Sequence, residues 1–148
     1  MRTEIRLLES HEAAVLGRVA RGVFDNDIDP ELTAEFLADP RHHLAVVIED
    51  GVVVGMASGV HYVHPDKPPQ LFINEVGVAP THQGRGFGRQ LVELLVRLAT
   101  DLRCTEAWVL TDQSNMVAKR LYEGAGGATP PDPCIMYTIR IVPAVVAD

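Results

Sequence analysis

The segment at residues 71–111 places the strongest constraint on how this chain folds. It contains an apolar stretch at 71–78, a glycine-rich turn at 84–88, a segment with apolar residues at helical spacing, and a second apolar stretch at 107–111. This order predicts a strand, a helix and a second strand. Such a unit brings its two strands side by side and parallel, so we expect a sheet with at least one parallel pair.

The remaining elements are predicted from local patterns. We expect a helix within residues 5–23, a short helix within 24–40 beginning at Pro30, a hairpin of strands 44–48 and 52–60, a loop at 64–69, a helix at 115–123, a closing strand at 135–139 and a loose tail from Pro143. Together they predict an α/β fold with a mixed sheet in a single domain, residues 1–148.

Charge and cysteine usage narrow the classes of function. Thirteen Lys and Arg stand against 20 Asp and Glu, a net charge of −7, which argues against nucleic-acid binding because phosphate neutralisation needs a basic face. The sequence has no apolar run of about 18 residues, so we expect no membrane span, and charges at Arg6, Glu9 and Glu12 argue against a signal peptide. Cys104 and Cys134 lack metal-site spacing, as do the histidines. We therefore expect a cytoplasmic protein without a metal.

The glycine-rich turn, Gln-Gly-Arg-Gly-Phe-Gly at residues 83–88, has the features of an anion site. Unpaired N–H groups and a positive dipole at a helix N-terminus favour a phosphate, and glycines let the backbone approach it closely. Arg85 and Arg89 add positive charge where a pyrophosphate would lie. The alternative is a plain connection between strand and helix.

Two motifs resemble those of the GNAT superfamily of acyl-CoA-dependent N-acetyltransferases. Residues 83–88 are similar to its Gln/Arg-x-x-Gly-x-Gly/Ala pyrophosphate loop, and residues 115–123 to its motif Asn-x-x-Ala-x-x-Leu-Tyr-x-x-x-Gly-Phe. The resemblance covers roughly residues 44–140. It implies the GNAT fold, a mostly antiparallel sheet whose central parallel pair splays apart, flanked by helices. The chain departs from this pattern at Gly127, where the family has an aromatic residue.

The resemblance implies acetyl-CoA as the cofactor. Its pantetheine arm would pair with the strand before the glycine turn, and its pyrophosphate would lie on the turn itself. The implied cofactor-binding residues are Val76, Val78, Gln83, Gly84, Arg85, Gly86, Gly88, Arg89 and Asn115.

Two residues are implied to be catalytic. Glu75, an isolated acid in an apolar strand, is the expected general base, and Tyr122 is the expected general acid for the leaving thiolate. His61 and His64 are second choices for the base. Strand alternation predicts that Asn74 points to the face opposite Glu75.

The acceptor is expected to be a small cationic amine. Within the family the chain looks similar to the gentamicin-type aminoglycoside 3-N-acetyltransferase group, through Phe24-Asp25, residues 65–69 and residues 74–78. The acidic segment 25–39 would attract such an amine. The expected substrate-binding residues are Asp25, Asp27, Asn74 and Asp112.

Two alternatives stay open. One is an acetyltransferase for another small amine or for a protein amino group, and the other is a non-catalytic acyl-CoA-binding sensor. A homodimer is also left open.

Overall fold

A five-stranded mixed sheet forms the centre of the protein, as seen in a computed structural model whose description covers residues 1–143. Its strands are β1 (Thr3–Leu7), β2 (His42–Glu49), β3 (Val52–His64), β4 (Lys67–Val78) and β5 (Ala107–Val109). They lie side by side in chain order; β1 to β4 are antiparallel, and β4 and β5 are parallel. The predicted α/β fold with a mixed sheet and one parallel pair is confirmed.

Three α-helices accompany the sheet: α1 (Pro30–Ala38), α2 (Phe87–Asp101) and α3 (Met116–Gly124). Helix α2 packs against β2, β3 and β4 through a stripe of buried residues, Phe87, Leu91, Val92, Leu95 and Ala99. Every residue of β2 from Leu44 to Glu49 is buried, so both faces of this strand are covered. The core therefore lies at β2 and β3, and the glycine turn at the start of α2 is held against it.

The predicted hairpin and the Pro30 helix are confirmed. Asp50 and Gly51 join β2 to β3 with φ of 51° and 81°, the left-handed conformation that tight hairpin turns require. Pro30 occupies the first turn of α1, and the Asp29 side chain caps this helix by accepting hydrogen bonds from the N–H groups of Glu31 and Leu32.

The predicted N-terminal helix within residues 5–23 is wrong. Residues Thr3–Leu7 form strand β1 along β2, and only a short 3-10 helix follows, at Ala13–Gly17. Ile5 pairs with Val47 and Leu7 with Ala45. The edge of β2 thus offers this segment backbone hydrogen bonds and apolar neighbours, which override its weak helical periodicity.

Two further predictions are corrected. Residues 64–69 are not a loop: β3 runs to His64 and β4 begins at Lys67, and these two residues pair across a short turn. Pro65 lies in this turn, and Pro68 and Pro69 stand near the start of β4, where prolines are tolerated. Residues 135–139 do not form a closing strand; their side chains are exposed and follow the proline-rich stretch 130–133. Of the predicted loose tail from Pro143, residues 144–148 lie outside the described residues.

Strand β4 contains a β-bulge that shapes the site described below. Ser58 of β3 pairs with Glu75, and the next residue, Gly59, pairs with Ile73. Asn74 is therefore an extra residue in β4, opposite no residue of β3. A bulge of this kind shifts the alternation of the strand by one residue.

Candidate active site

The parallel strands β4 and β5 pair only over three residues. Leu71, Phe72 and Ile73 are aligned with Ala107, Trp108 and Val109, and no pairing continues beyond them. After this point β4 runs on for five more residues, to Val78, with an edge unpaired by β5. The splayed pair that the family resemblance implies is thus present, and it opens between the two strands.

The bulge determines which backbone groups of β4 face this opening. Near the start of β4 the N–H of Leu71 donates to the Glu106 carbonyl, on the β5 side, and just after its end the N–H of Ala79 donates to the Val54 carbonyl of β3. Because successive residues of a strand alternate sides, the backbone groups of Val76 and Val78 point away from β3 and toward the opening.

The glycine turn lies beside the open edge. Gly84 and Gly86 have φ of +77° and +81°, and a side chain on Gly84 would meet nothing within 4 Å, which leaves this face free. Gly86 is also the N-cap of α2, and no side chain caps the helix there. The first N–H groups of α2 therefore have no intrahelical acceptor and suit a phosphate.

A cavity of about 500 Å³ lies between the open edge and the glycine turn. Eight of the nine predicted cofactor-binding residues line it: Val76, Val78, Gln83, Gly84, Gly86, Gly88, Arg89 and Asn115. Open backbone groups on one wall and free helix amides on another fit an extended thioester arm with a pyrophosphate. The residues present therefore fit acetyl-CoA.

Three of the predicted contacts are already engaged in other interactions. The Gln83 amide donates to the Val78 carbonyl at 3.1 Å. Arg89 forms an ion pair with Glu93 along α2, at 2.8 Å between Nε and Oε1. The Asn115 side chain caps α3 by accepting a hydrogen bond from the Ala118 N–H at 3.0 Å. Asn115 therefore lies at the cavity as predicted, but its side-chain oxygen already accepts a hydrogen bond from the helix.

Arg85 is the ninth predicted residue, and it is outside the cavity lining. Its guanidinium points to the end of β2, where it forms an ion pair with Glu49 at 3.1 Å. Sequence reasoning missed Glu49 entirely. Its position after a hairpin strand looks like an ordinary turn residue, and only the packing of β2 beside the glycine turn reveals the contact.

A second cavity, of about 990 Å³, lies on the other side of the same strand opening. Asp25, Asn74, Glu75 and Asp112 line it, as predicted for the acceptor side, whereas Asp27 does not. Among the described residues that line this cavity there are three carboxylates and no Lys or Arg. The lining also includes Cys134 and Met136, which sequence reasoning did not single out.

The predicted opposition of Asn74 and Glu75 is wrong. Both residues are exposed to the same cavity. Strict alternation would separate them, but Asn74 is the extra residue of the bulge, where alternation breaks down.

The side chains of Glu75 and Asp25 are neighbours in the lining of this second cavity. The Glu75 side chain is exposed to the cavity but its carboxyl is partly desolvated, and this desolvation, followed by the negative charge of Asp25 and a hydrogen bond with it, raises the pKa of that carboxyl. The backbone explains this proximity: the Val23 carbonyl lies so close to Gly77 that a Cβ there would be 2.2 Å from its oxygen. The segment leading to Asp25 is thus pressed against β4, and a carboxyl with raised pKa at this place is suited to accept a proton near neutral pH.

Tyr122 lies where the two cavities meet. It lines both of them, as do Val76, Val78, Gln83, Asn115 and Ala118. Burial raises the pKa of its phenol above the ordinary value, so the hydroxyl keeps its proton at neutral pH and can donate it.

The histidines considered as second choices for the base lie elsewhere. His61 contacts His43, with 2.7 Å between ring nitrogens, and His64 contacts Asp66. Neither lines the acceptor cavity. Within residues 1–143, no group of three His, Cys, Asp or Glu side chains is arranged to hold a metal ion, and no helix in that range is long and apolar enough to cross a membrane.

Comparison with known protein families decides the class. A model of the acetyltransferase (GNAT) family matches residues 11–126. The chain belongs to this family. GNAT membership confirms the enzyme class expected from the sequence, the acyl-CoA-dependent acetyltransferases, and the cofactor of that class, acetyl-CoA.

Individual relatives act on different amines. An L-2,4-diaminobutyric acid acetyltransferase from Streptomyces coelicolor is 30% identical over 114 residues, 75% of this chain and 66% of its own length. An aminoglycoside N(6′)-acetyltransferase type 1 from Salmonella typhimurium is 29% identical over 90 residues, 57% of this chain and 62% of its own length. Each alignment thus spans less than two thirds of the relative.

Solved structures share the fold. The aminoglycoside N-acetyltransferase AAC(6′)-Iy in complex with CoA has a TM-score of 0.73 and 21% identity, with 95% of this chain and 96% of that chain covered. The comparisons therefore include aminoglycoside acetyltransferases of the N(6′) type, and they do not single out the 3-N group expected from the sequence.

Proposed function

We propose that this GNAT protein transfers an acetyl group from acetyl-CoA to a primary amine of a small polycationic molecule. The observation that carries this proposal is the connection of two unlike cavities at Tyr122. One is bordered by backbone amides and glycines, and the other by the carboxylates of Asp25, Glu75 and Asp112.

The proposed chemistry divides between three groups of the chain. Glu75 accepts the proton of the ammonium group, which makes the amine nucleophilic. The Val76 N–H points into the opening and is placed to donate to the oxygen on which negative charge develops. The Tyr122 hydroxyl holds a proton for the leaving thiolate. Acetyl-CoA, when bound, supplies the acetyl thioester.

The acceptor we propose is an aminoglycoside. About 990 Å³ lies at the upper end of the range for small-molecule sites, which suits a molecule of several rings. An amino acid such as diaminobutyric acid carries a carboxylate, and none of the residues within 1–143 that line the cavity is a Lys or Arg that could pair with it. Charge complementarity therefore favours a polyamine without an acidic group.

The acetylated position is a finer part of the proposal. The sequence predicts the 3-N position, while the aminoglycoside relative carries the N(6′) designation. Acetylation at either position would remove one positive charge from the aminoglycoside, and because aminoglycosides are antibiotics, the proposal extends to a role in antibiotic resistance. The location expected from the sequence, the cytoplasm, is part of the same proposal.

An acceptor screen tests the proposal. Thiol release from acetyl-CoA is measured with kanamycin, gentamicin, diaminobutyric acid, spermidine and an N-terminal peptide, and the product is examined by NMR. We expect turnover on the aminoglycosides, with the acetyl group located by its amide resonance at N-3 or N-6′. Turnover on the peptide or on diaminobutyric acid alone would replace the aminoglycoside proposal, and no thiol from any amine would favour the non-catalytic sensor.

Replacement of Glu75 tests the mechanism. Glu75→Gln should lower kcat by about 100-fold near pH 7, within the usual contribution of a general base, and by less at high pH, where the amine is deprotonated in solution. A pH series of kcat measures this. Glu106→Gln is the matched control, because Glu106 is an exposed carboxylate outside both cavities. An equal loss of kcat at every pH in Glu75→Gln would contradict the role of Glu75 as the base.

A further inference from the structure

Glu49, at the end of β2, is buried although it carries a charge. It is 8% exposed, and among residues 1–143 no other charged side chain is as fully buried. Arg85 donates to it from Nη2 at 3.1 Å and from Nη1 at 3.4 Å, His82 contacts it through Nε2 at 3.1 Å, and the Thr3 hydroxyl donates at 3.2 Å. The carboxylate therefore has three side-chain partners, which compensate for its burial.

Two of these partners belong to the region of the turn that borders the cofactor cavity, one before the turn and one within it. His82 ends the short 3-10 helix before the turn, and Arg85 lies between Gly84 and Gly86. Both glycines adopt positive φ, a conformation that glycine reaches easily but also leaves easily. Contacts of one carboxylate on both sides of Gly84 restrict this freedom and lower the entropy that would be lost when a ligand binds.

The charge state of Glu49 suits this role. Burial raises the pKa of its carboxyl, but the hydrogen bonds from Arg85, His82 and Thr3 outweigh burial and lower it overall. The group is thus a carboxylate at neutral pH, and it compensates the charge of Arg85. The Arg85 guanidinium is held further by the Phe87 ring, whose centroid is 4.8 Å away.

We propose that Glu49 is a positioning residue for the cofactor: it holds Arg85 and His82 so that the backbone N–H groups of the turn, rather than the Arg85 guanidinium, face the pyrophosphate of acetyl-CoA. The inference rests on the proposed function for the identity of the ligand. It assigns to Arg85 a role in fixing the turn from behind, in place of the direct phosphate contact expected from the sequence.

Glu49→Gln separates this role from a general effect on stability. The Kd for CoA is measured by calorimetry, and kinetics are compared with acetyl-CoA and with S-acetylpantetheine, which lacks the pyrophosphate. We expect the Kd for CoA and the KM for acetyl-CoA to rise about tenfold, as expected when a hydrogen bond to a charged group is weakened, with kcat at saturation within about twofold. The kcat/KM for S-acetylpantetheine should stay unchanged because this donor does not use the turn.

Two further variants complete the test. Glu12→Gln breaks another carboxylate–arginine contact, with Arg6 at 2.7 Å, and should leave every parameter unchanged. Arg85→Gln should reproduce the Glu49→Gln pattern, and the double variant should be no worse than either single variant, because both act through one contact. Arg85→Gln also serves as the test variant if Glu49→Gln does not fold.

The outcomes that overturn the proposal are distinct. An unchanged or lower Kd for CoA in Glu49→Gln, or a loss that is equal for both donors, contradicts it. Additive effects of the two substitutions would show that Arg85 contacts the ligand directly. Because CoA binding is measured without an acceptor, a wild-type protein that binds CoA but acetylates no amine would refute the proposed function while leaving this inference open to the same test.

Discussion

Replacing Gly77 with alanine adds one methyl group where β4 packs closely against Val23, on the acceptor side of the site. A Cβ at Gly77 would lie 2.2 Å from the Val23 carbonyl oxygen, whereas such contacts essentially never fall below 3.0 Å, so one of the two segments must move by about 0.8 Å. Val23 is 3% exposed and anchored in the core, so the movement strains packing on both sides. Overpacking of this kind costs about 1–3 kcal/mol.

Gly77→Ala should therefore lower both stability and the pH at which the enzyme loses activity. At about 2–4 °C per kcal/mol for a domain of this size, the expected fall in Tm is about 2–12 °C. The displaced segment carries Asp25 away from Glu75, which removes a cause of the raised pKa, so the acidic limb of kcat should move to lower pH.

Calorimetry and a pH series of kcat measure the two effects of Gly77→Ala. Gly17→Ala is the matched control, because a Cβ on Gly17 would meet nothing within 4 Å, and its Tm should stay close to that of the wild type. If Gly77→Ala were as stable as Gly17→Ala, the close approach of Val23 would be refuted. A lower Tm with an unmoved pH limb would instead refute the link between this contact and Asp25.

Three more predictions concern the same site. Asp25→Asn removes a like charge from the neighbourhood of Glu75, so the acidic limb of the pH profile of kcat should move to lower pH, and a shift to higher pH would contradict the carboxyl pair. Tyr122→Phe should lower kcat about 100-fold, the usual contribution of a general acid, with the Kd for CoA unchanged by calorimetry; unchanged kcat would exclude it as the acid. Gly86→Val places a β-branched residue at a φ of +81°, and CoA binding should be lost in the same assay, whereas retained affinity would argue against the turn as the pyrophosphate site.

The elements predicted correctly are those whose signal is local. Asp50-Gly51 predicts the hairpin, Pro30 the start of α1, and the glycine turn the start of α2, because each rests on the backbone preferences of one or two residues. The order of these elements then suffices for the parallel pair of β4 and β5.

The elements predicted wrongly depend on partners distant in sequence. Residues 3–7 become a strand because β2 offers them an edge. Residues 135–139 have an equally good strand composition, but no strand within residues 1–143 pairs with them. Strand propensity describes how well a residue fits an existing sheet, so it does not indicate by itself whether a neighbour is available.

At the site, the sequence predicts which residues line the two cavities, but it does not predict which contacts each side chain makes there. Eight cofactor residues and Glu75, Asp25, Asn74 and Asp112 do line the two cavities. The ion pair between Arg85 and Glu49 joins two residues that are 36 positions apart in the sequence. A positively charged residue in a motif does not indicate by itself whether its partner is a ligand phosphate or a carboxylate of the protein.

The bulge at Asn74 has a consequence for how far the length of this region can vary. Surface loops tolerate insertions because the chain on either side keeps its partners. In β4, Asn74 is opposite no residue of β3, so its loss would leave Ile73 and Glu75 adjacent and paired with Gly59 and Ser58 in a regular ladder. Val76 and Val78 would keep facing the opening, so the binding edge would remain while the Asn74 side chain would be lost from the acceptor cavity. A deletion at this point of the strand is therefore accommodated by the sheet in the way that a deletion in a surface loop is.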